Sequence, residues 1–307
     1  MKRIVCVIAL AMVLCMAVPG YAEAEAGSVD MGDVIQMGDF EGKDHYIVFY
    51  PKELEGSDKQ YPVLVWANGT MCAPVLYMNL LKGVAARGYV VVASSELMSA
   101  DGKAQIKAID YIFDQSMDES SVLCGKIDPG KIGAFGHSQG GRSSVNAAAE
   151  DERIGCLVSI AGSNYTSEAK KLSTPALFLT GTKDLVVLSS LWVKPAYDNV
   201  RGPAVYASAK NAIHTTCVLD ADKYIDYCAS WFDAWLLGDQ TAMARFKSGG
   251  ALSKDSGWTD YASKNMASPG LTGTAFSGGN VWSVLALGEL IVIAALIALL
   301  IRKKKKA

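Results

Sequence analysis

The sequence predicts an α/β fold: a mostly parallel sheet covered by helices on both faces, without a lid domain, plus a C-terminal transmembrane helix. Three observations carry that prediction. Short apolar runs rich in Val, Ile and aromatic residues alternate with helical patterns along residues 46–237, which is the rhythm of strand–helix–strand units. Lys131 to Gly141, KIGAFGHSQGG, passes from an apolar stretch through Gly-x-Ser-x-Gly into a run of small residues, so it reads strand, sharp turn, helix. Val281 to Ile301 is apolar apart from Glu289 and is followed at once by the cations Arg302 to Lys306.

Taken in order, Tyr46 to Tyr50 and Pro62 to Ala67 have the composition of strands. Leu76 to Ala86 reads as a helix and Tyr89 to Ser94 as a buried strand. Lys103 to Gln115 sets Ile106, Ile109 and Ile112 on one helical face. The strand Ile132 to Phe135 leads into the sharp turn, and Arg142 to Ala149 continues as a helix. Ile154 to Ala161, Pro175 to Leu179 and Pro203 to Ala207 are further strands, and Lys223 to Leu237 is a helix rich in aromatics. Only a short stretch separates Ala161 from Pro175, which leaves no room for a helical lid and predicts an open site.

The two ends read as addresses rather than as fold. Residues 1–24 carry Lys2 and Arg3, the apolar run Ile4 to Val18 and the small-residue stretch Ala22-Glu23-Ala24, the layout of a cleavable signal peptide. Cys15 follows Leu14, too large for a lipoprotein processing site. Residues 281–301 would rise about 30 Å as a helix, the thickness of a bilayer core. Glu289 costs about 3 kcal/mol in such a span, and its Leu, Ile and Val neighbours offset that. The tail 302–307 marks the cytoplasmic side. These readings place a domain at 25–249 outside the cytoplasm, with 250–280 as linker, of which Gly270 to Asn280 is the flexible part. Leu271-Thr272-Gly273-Thr274 is only faintly similar to a sortase signal, so wall attachment is the weaker alternative to membrane anchoring.

Half of the 307 residues are hydrophobic, enough for a large core. The net charge is −2 with no basic cluster outside the tail, which argues against a nucleic-acid partner. Beyond the signal stand Cys72, Cys124, Cys156, Cys217 and Cys228, an odd set that allows one or two disulfides and leaves at least one thiol. There is no Cys-x-x-Cys and there are three histidines, so neither a metal nor another cofactor is expected.

A serine hydroxyl is a weak nucleophile and needs a base and an orienting acid. Ser138 stands at the centre of the turn. In the Gly-x-Ser-x-Gly arrangement the acid and then the histidine follow the serine, each on a loop at the carboxyl end of a strand. His45 precedes the serine and His137 lies beside it pointing elsewhere, so His214, just beyond Pro203 to Ala207, is the candidate base. Asp184 follows Pro175 to Leu179 directly and is the candidate acid, while Asp151 and Asp198 read as surface carboxylates. An oxyanion needs preorganised donors, each worth roughly 3 kcal/mol. The backbone N–H groups of Gln139 and, in the turn Asn68-Gly69-Thr70, of Thr70 are the candidates. Asn68 and Asn164 also match the glycosylation sequon.

With these residues placed, the chain resembles the dienelactone-hydrolase-like branch of the α/β-hydrolases, and within it the lid-less bacterial cutinase and polyester hydrolase group. The resemblance spans Ile47 to Phe246 and rests on WANGT at Trp66 to Thr70, AARGYVVVASS at Ala85 to Ser95, KIDPGKIGAFGHSQGG at Lys126 to Gly141, STPALFLTGTKD at Ser173 to Asp184, and His214. It implies hydrolysis of a carboxylic ester without a cofactor; the short stretch after Ala161 suits a bulky or polymeric substrate, and the C-terminal helix would hold the enzyme at the cell surface. The chain departs from the group in having Gln139 where polyester hydrolases often carry methionine, and in lacking a tryptophan directly after Ile160-Ala161-Gly162-Ser163. Two other functions fit the same residues. An acyltransferase would pass the acyl group to an alcohol instead of water, and a binding module would use the scaffold without the chemistry.

Overall fold

The computed structural model of the protein describes residues 34–38 and 46–266. The signal at 1–24, His45, the part of the linker from 267 onward, the apolar segment 281–301 and the basic tail lie outside the described residues. Among the described residues no helix is long and apolar enough to cross a membrane.

The core is one sheet of nine strands, β1 Val34–Met37, β2 Tyr46–Pro51, β3 Tyr61–Ala67, β4 Val90–Ser94, β5 Ile127–His137, β6 Ile154–Ile160, β7 Ala176–Gly181, β8 Ala204–Ala209 and β9 Trp258–Lys264. Their order is β1-β2-β4-β3-β5-β6-β7-β8-β9. From β4 to β8 the neighbours run parallel. β1, β2 and β9 join antiparallel at the flanks.

Both faces of the parallel strands are buried, which is why they read as continuous apolar runs. Successive side chains of a strand point to opposite faces. Ile47, Phe49, Leu64, Trp66 and Phe135 therefore enter one core layer, and Val48, Tyr50, Val63, Val65 and Ala134 the other. The first layer is closed by α1 (Met78–Ala85) and by α7 (Asp222–Leu236), through Leu80, Leu81, Val84, Trp231 and Phe232. The second is closed by α2 (Lys103–Met117), α3 (Gln139–Glu150) and α5 (Val193–Asn199). Short helices α4 (Thr166–Ala169), α6 (Thr216–Leu219), α8 (Gln240–Arg245) and α9 (Ala251–Lys254) complete the described chain. Between β6 and β7 the chain has only the four residues of α4 in regular structure, so nothing of lid size is inserted there.

One expectation needs correction. The domain does not stop at residue 249, because α9 and β9 follow and β9 pairs with β8 from Ala204↔Lys264 to Ala209↔Trp258. Edge strands face solvent on one side and so carry polar residues; TDYASK has the composition of a linker for that reason. No disulfide joins the described cysteines: Cys72, Cys156, Cys217 and Cys228 are buried thiols and Cys124 is partly buried. These cysteines serve as small core residues, and burial holds the Cys156, Cys217 and Cys228 thiols well above their ordinary pKa.

Trp258 is 5% exposed and packs edge-on against Tyr224 and Tyr227, at 5.8 and 5.5 Å between ring centroids. Trp258→Ala is expected to lower the unfolding free energy by about 3–5 kcal/mol, read by urea titration followed by circular dichroism. A linker residue would give no measurable change.

Candidate active site

The site is built at the carboxyl ends of the parallel strands, where β5 turns directly into α3. Ser138 sits at that turn with φ 57° and ψ −120°, a left-handed conformation that costs a non-glycine residue roughly 1–3 kcal/mol. The neighbouring glycines explain how the strain is accommodated. A Cβ on Gly140 would stand 1.9 Å from the carbonyl oxygen of Ala67, and one on Gly136 would stand 2.3 Å from the carbonyl oxygen of Gly140. Only residues without side chains let α3 start against β3 this closely. The turn lifts Ser138 to the half-exposed surface, with the first N–H groups of α3 facing the same space.

His214 and Asp184 reach Ser138 from the neighbouring loops. The Ser138 hydroxyl donates to His214 Nε2 at 3.0 Å, and His214 Nδ1–H donates to Asp184 Oδ2 at 2.8 Å. The other carboxylate oxygen, Oδ1, accepts the N–H groups of Val186 and Val187 at 2.9 and 2.8 Å, so the Asp184 carboxylate is fixed in both directions. The two loops are also tied to each other: Lys183 N–H donates to Ala212 C=O at 2.9 Å and Asn211 N–H to Thr182 Oγ1 at 2.9 Å. The side chains of Asp184 and His214 are 1% and 12% exposed, which keeps their hydrogen bond away from competing water. Asp151 and Asp198 stand elsewhere, paired with Arg153 and Lys194.

The loop after β3 closes the other side. Asn68 accepts from Trp66 Nε1 at 2.9 Å and donates to Ser94 C=O at 2.7 Å, and Met71 N–H donates to Leu97 C=O at 3.0 Å. The Cβ position of Gly69 is 3.6 Å from Ser138 Cβ, so this loop borders the serine. Among the described residues neither Thr70 N–H nor Gln139 N–H donates within the protein. Asn68 and Asn164 are each 1% exposed, which closes both sequons to modification.

Three features escaped the sequence reading. Tyr77 Oη lies 3.0 Å from His137 Nδ1, and His137 Nε2 lies 2.8 Å from the carbonyl oxygen of His214. The adjacency of His137 to Ser138 was the only signal for this, since Tyr77 falls in an apolar run. Exposed apolar side chains adjoin the site residues: Leu185 (79%) follows Asp184 and Ile213 (47%) precedes His214. The run Leu185-Val186-Val187-Leu188 beside Asp184 could have shown this. Tyr165, absent tryptophan notwithstanding, packs at a tilt of 45° against Trp192 at 5.5 Å, and the Arg142 guanidinium lies over its ring at 3.9 Å. Its loop is held to the serine by Ser163 N–H donating to Ser138 C=O at 3.3 Å. The concavities lined by Asp222, Arg245 and Trp258 and by Glu150, Arg153 and Lys171 hold none of the site residues. Among the described residues no group of three His, Cys, Asp or Glu side chains converges as a metal site.

The family described as PET hydrolase-like matches residues 20–263, and the chain belongs to that family. It is 24% identical over 206 residues to the bis(hydroxyethyl) terephthalate hydrolase of Streptomyces coelicolor, covering 65% of this chain and 64% of the relative. It is 22% identical over 174 residues to the cutinases est2 and est1 of Thermobifida alba, covering 54% of this chain and 56% of each relative. The matches thus span less than two thirds of the length of these relatives.

His137 gives the site a pH signature in stability. Its burial, then the neighbouring His214, hold its pKa well below the ordinary 6.5. The unfolded chain therefore binds a proton on this residue where the folded chain does not. The stability it contributes is complete above pH 6.5 and is lost as the pH falls below that value. The expected loss is at most about 1.4 kcal/mol per pH unit for one proton. His137→Gln should flatten the pH dependence of the urea midpoint by that amount between neutral and mildly acidic buffer, and equal slopes in parent and variant would refute it.

Proposed function

We propose that this PET hydrolase-like chain is a serine esterase that cleaves a carboxylic ester through an acyl-enzyme on Ser138. The observation that carries the reading is the unbroken line from Ser138 Oγ through the His214 imidazole to the Asp184 carboxylate, at 3.0 and 2.8 Å. His214 Nε2 takes the serine proton as Oγ attacks the acyl carbon, while Asp184 holds Nδ1–H and stabilises the imidazolium. The tetrahedral oxyanion is received by the N–H groups of Gln139 and Thr70. Collapse breaks the ester C–O bond, and His214 hands its proton to the departing alkoxide. Water then attacks the acyl-enzyme with His214 again as base, releasing the acid and restoring Ser138.

The hydrolase and cutinase names of the relatives support this chemistry. Leu185 and Ile213, exposed beside Asp184 and His214, support an apolar substrate, because they offer it contact area that water now covers. The absence of a lid-sized insertion between β6 and β7 suits a bulky or polymeric ester and leaves water free access, which favours hydrolysis over transfer to another alcohol. A binding module would have no use for the complete line of three. We also assign the domain to the outside of the cytoplasm, exported by residues 1–24 and held to the membrane by residues 281–301, on the strength of their sequence.

Full-length protein in detergent is expected to react with a fluorophosphonate at Ser138 and to turn over p-nitrophenyl esters. Ser138→Ala should abolish both. Asp184→Asn should lower kcat by about 10³- to 10⁴-fold, as expected when the tautomer is lost. A folded parent protein that neither labels nor turns over ester would overturn the assignment.

A further inference from the structure

We propose that Tyr77 and His137 form a buried hydrogen-bonded relay that locks the oxyanion-side loop to the loop carrying His214, making both of them positioning residues for the Ser138 reaction. The inference rests on the esterase reading above. Its evidence is a chain of contacts that begins and ends on the backbone. Gly69 N–H donates to Tyr77 Oη at 3.2 Å, Tyr77 Oη is 3.0 Å from His137 Nδ1, and His137 Nε2 is 2.8 Å from the His214 carbonyl oxygen.

For a neutral His137, which its burial favours, the two backbone ends fix the direction of every proton. A backbone N–H can only donate, and a carbonyl can only accept. Tyr77 Oη therefore accepts from Gly69 and gives its one hydrogen to His137 Nδ1, and His137 must carry its own hydrogen on Nε2, pointed at the His214 carbonyl. The other tautomer would set the Nε2 lone pair against the carbonyl lone pairs at 2.8 Å. For the neutral imidazole this one assignment satisfies all three contacts. Tyr77 and His137 are 1% and 3% exposed, so water does not substitute for the missing partner if one is removed.

The relay crosses the carboxyl edge of the sheet. Gly69 follows β3, His137 is the last residue of β5 and His214 follows β8, with β6 and β7 lying between the last two strands. No ladder of the sheet joins β5 to β8, so the relay supplies a direct tie between the nucleophile's strand and the base's loop. The Cβ position of Gly69 is 2.8 Å from Tyr77 Oη and 3.3 Å from His137 Nδ1, so a side chain there would wedge the relay open. The His137 and His214 rings are 4.6 Å apart, so the same contact that positions His214 keeps a neutral neighbour beside the imidazole that must become a cation.

The test compares Tyr77→Phe, His137→Leu and His137→Gln in the full-length protein. Turnover of a short p-nitrophenyl ester is followed together with the low-field proton resonance of His214 Nδ1–H. Tyr77→Phe keeps the ring and loses only the hydroxyl. It is expected to lower kcat about 10- to 100-fold with KM within about twofold, the effect of a small displacement of the base, and to shift the His214 resonance. His137→Leu should cost at least as much. His137→Gln, whose amide N–H can reach the His214 carbonyl, should recover part of the loss, and Tyr77→Phe with His137→Leu should be no worse than the worse single change because the two act as one unit. Parental kcat and an unmoved resonance in folded Tyr77→Phe would overturn the relay, as would a variant that loses thermal stability alone. If Tyr77→Phe does not fold, Gly69→Ala and His137→Gln give the same two readouts. If the parent itself neither labels nor turns over ester, the esterase reading fails, and the His214 resonance still decides whether the relay holds the loop.

Discussion

The turn at Ser138 constrains everything around it. A residue with φ 57° between two glycines cannot be relaxed locally, because adding a side chain at Gly136 or Gly140 drives it into backbone. The strain of roughly 1–3 kcal/mol persists because both sides of the turn are pinned. On one side β5 lies at the middle of the sheet, hydrogen-bonded to β3 and β6 along its length. On the other, α3 buries Ser143, Ser144, Val145, Ala147 and Ala148, and Gln105 from α2 crosses to Ser143, Ser144 and the carbonyl groups of Val65 and Phe135. The buried amide thus ties the two helices to the very strands that flank the turn.

That pinned turn sets the demands on the other loops. The sheet gives strand ends accurate to the hydrogen-bond register, but His214 and Asp184 lie several residues beyond theirs. Each extra residue of loop adds freedom that must be removed by a specific bond. Asp184 is held by two N–H donors and by the turn that closes back on Gly181. His214 is held through its imidazole by Asp184 and Ser138 and through its carbonyl by His137. His214 is therefore gripped at side chain and backbone together, from two different strands.

The parts legible in the sequence are those whose residue type is dictated by chemistry or by sterics. Gly136, Ser138 and Gly140 are forced by the turn, and the candidate base emerged because His214 is the only histidine after the serine. Asp184 could be picked out because it follows a strand directly. The interior strands were legible because both faces are buried, whereas β1 and β9 were not, because one face of an edge strand is polar. The cysteine count left pairing open for a related reason: a count carries no geometry, and core packing uses Cys156 and Cys228 as it would use alanine or valine. Tyr77 was invisible because its ring obeys the apolar pattern of its helix-like turn, and only the direction of its hydroxyl, which no pattern encodes, makes it part of the site.

A site without a lid has no closing motion to complete it, so its geometry must already be assembled before substrate arrives. In this protein the assembly is done by buried hydrogen bonds below the surface, while the surface itself is left apolar and open. The division is physically consistent. Polar contacts are strong and directional only where water is excluded, which is the condition of Asp184, His137 and Tyr77. Apolar contact needs no fixed direction and gains from being wet before binding, which is the condition of Leu185 and Ile213 beside the site. An apolar ester spread over these two would cover side chains that otherwise stand against water, and would do so without displacing any bond that holds the catalytic line. On the proposed reading, binding and preorganisation draw on different residues.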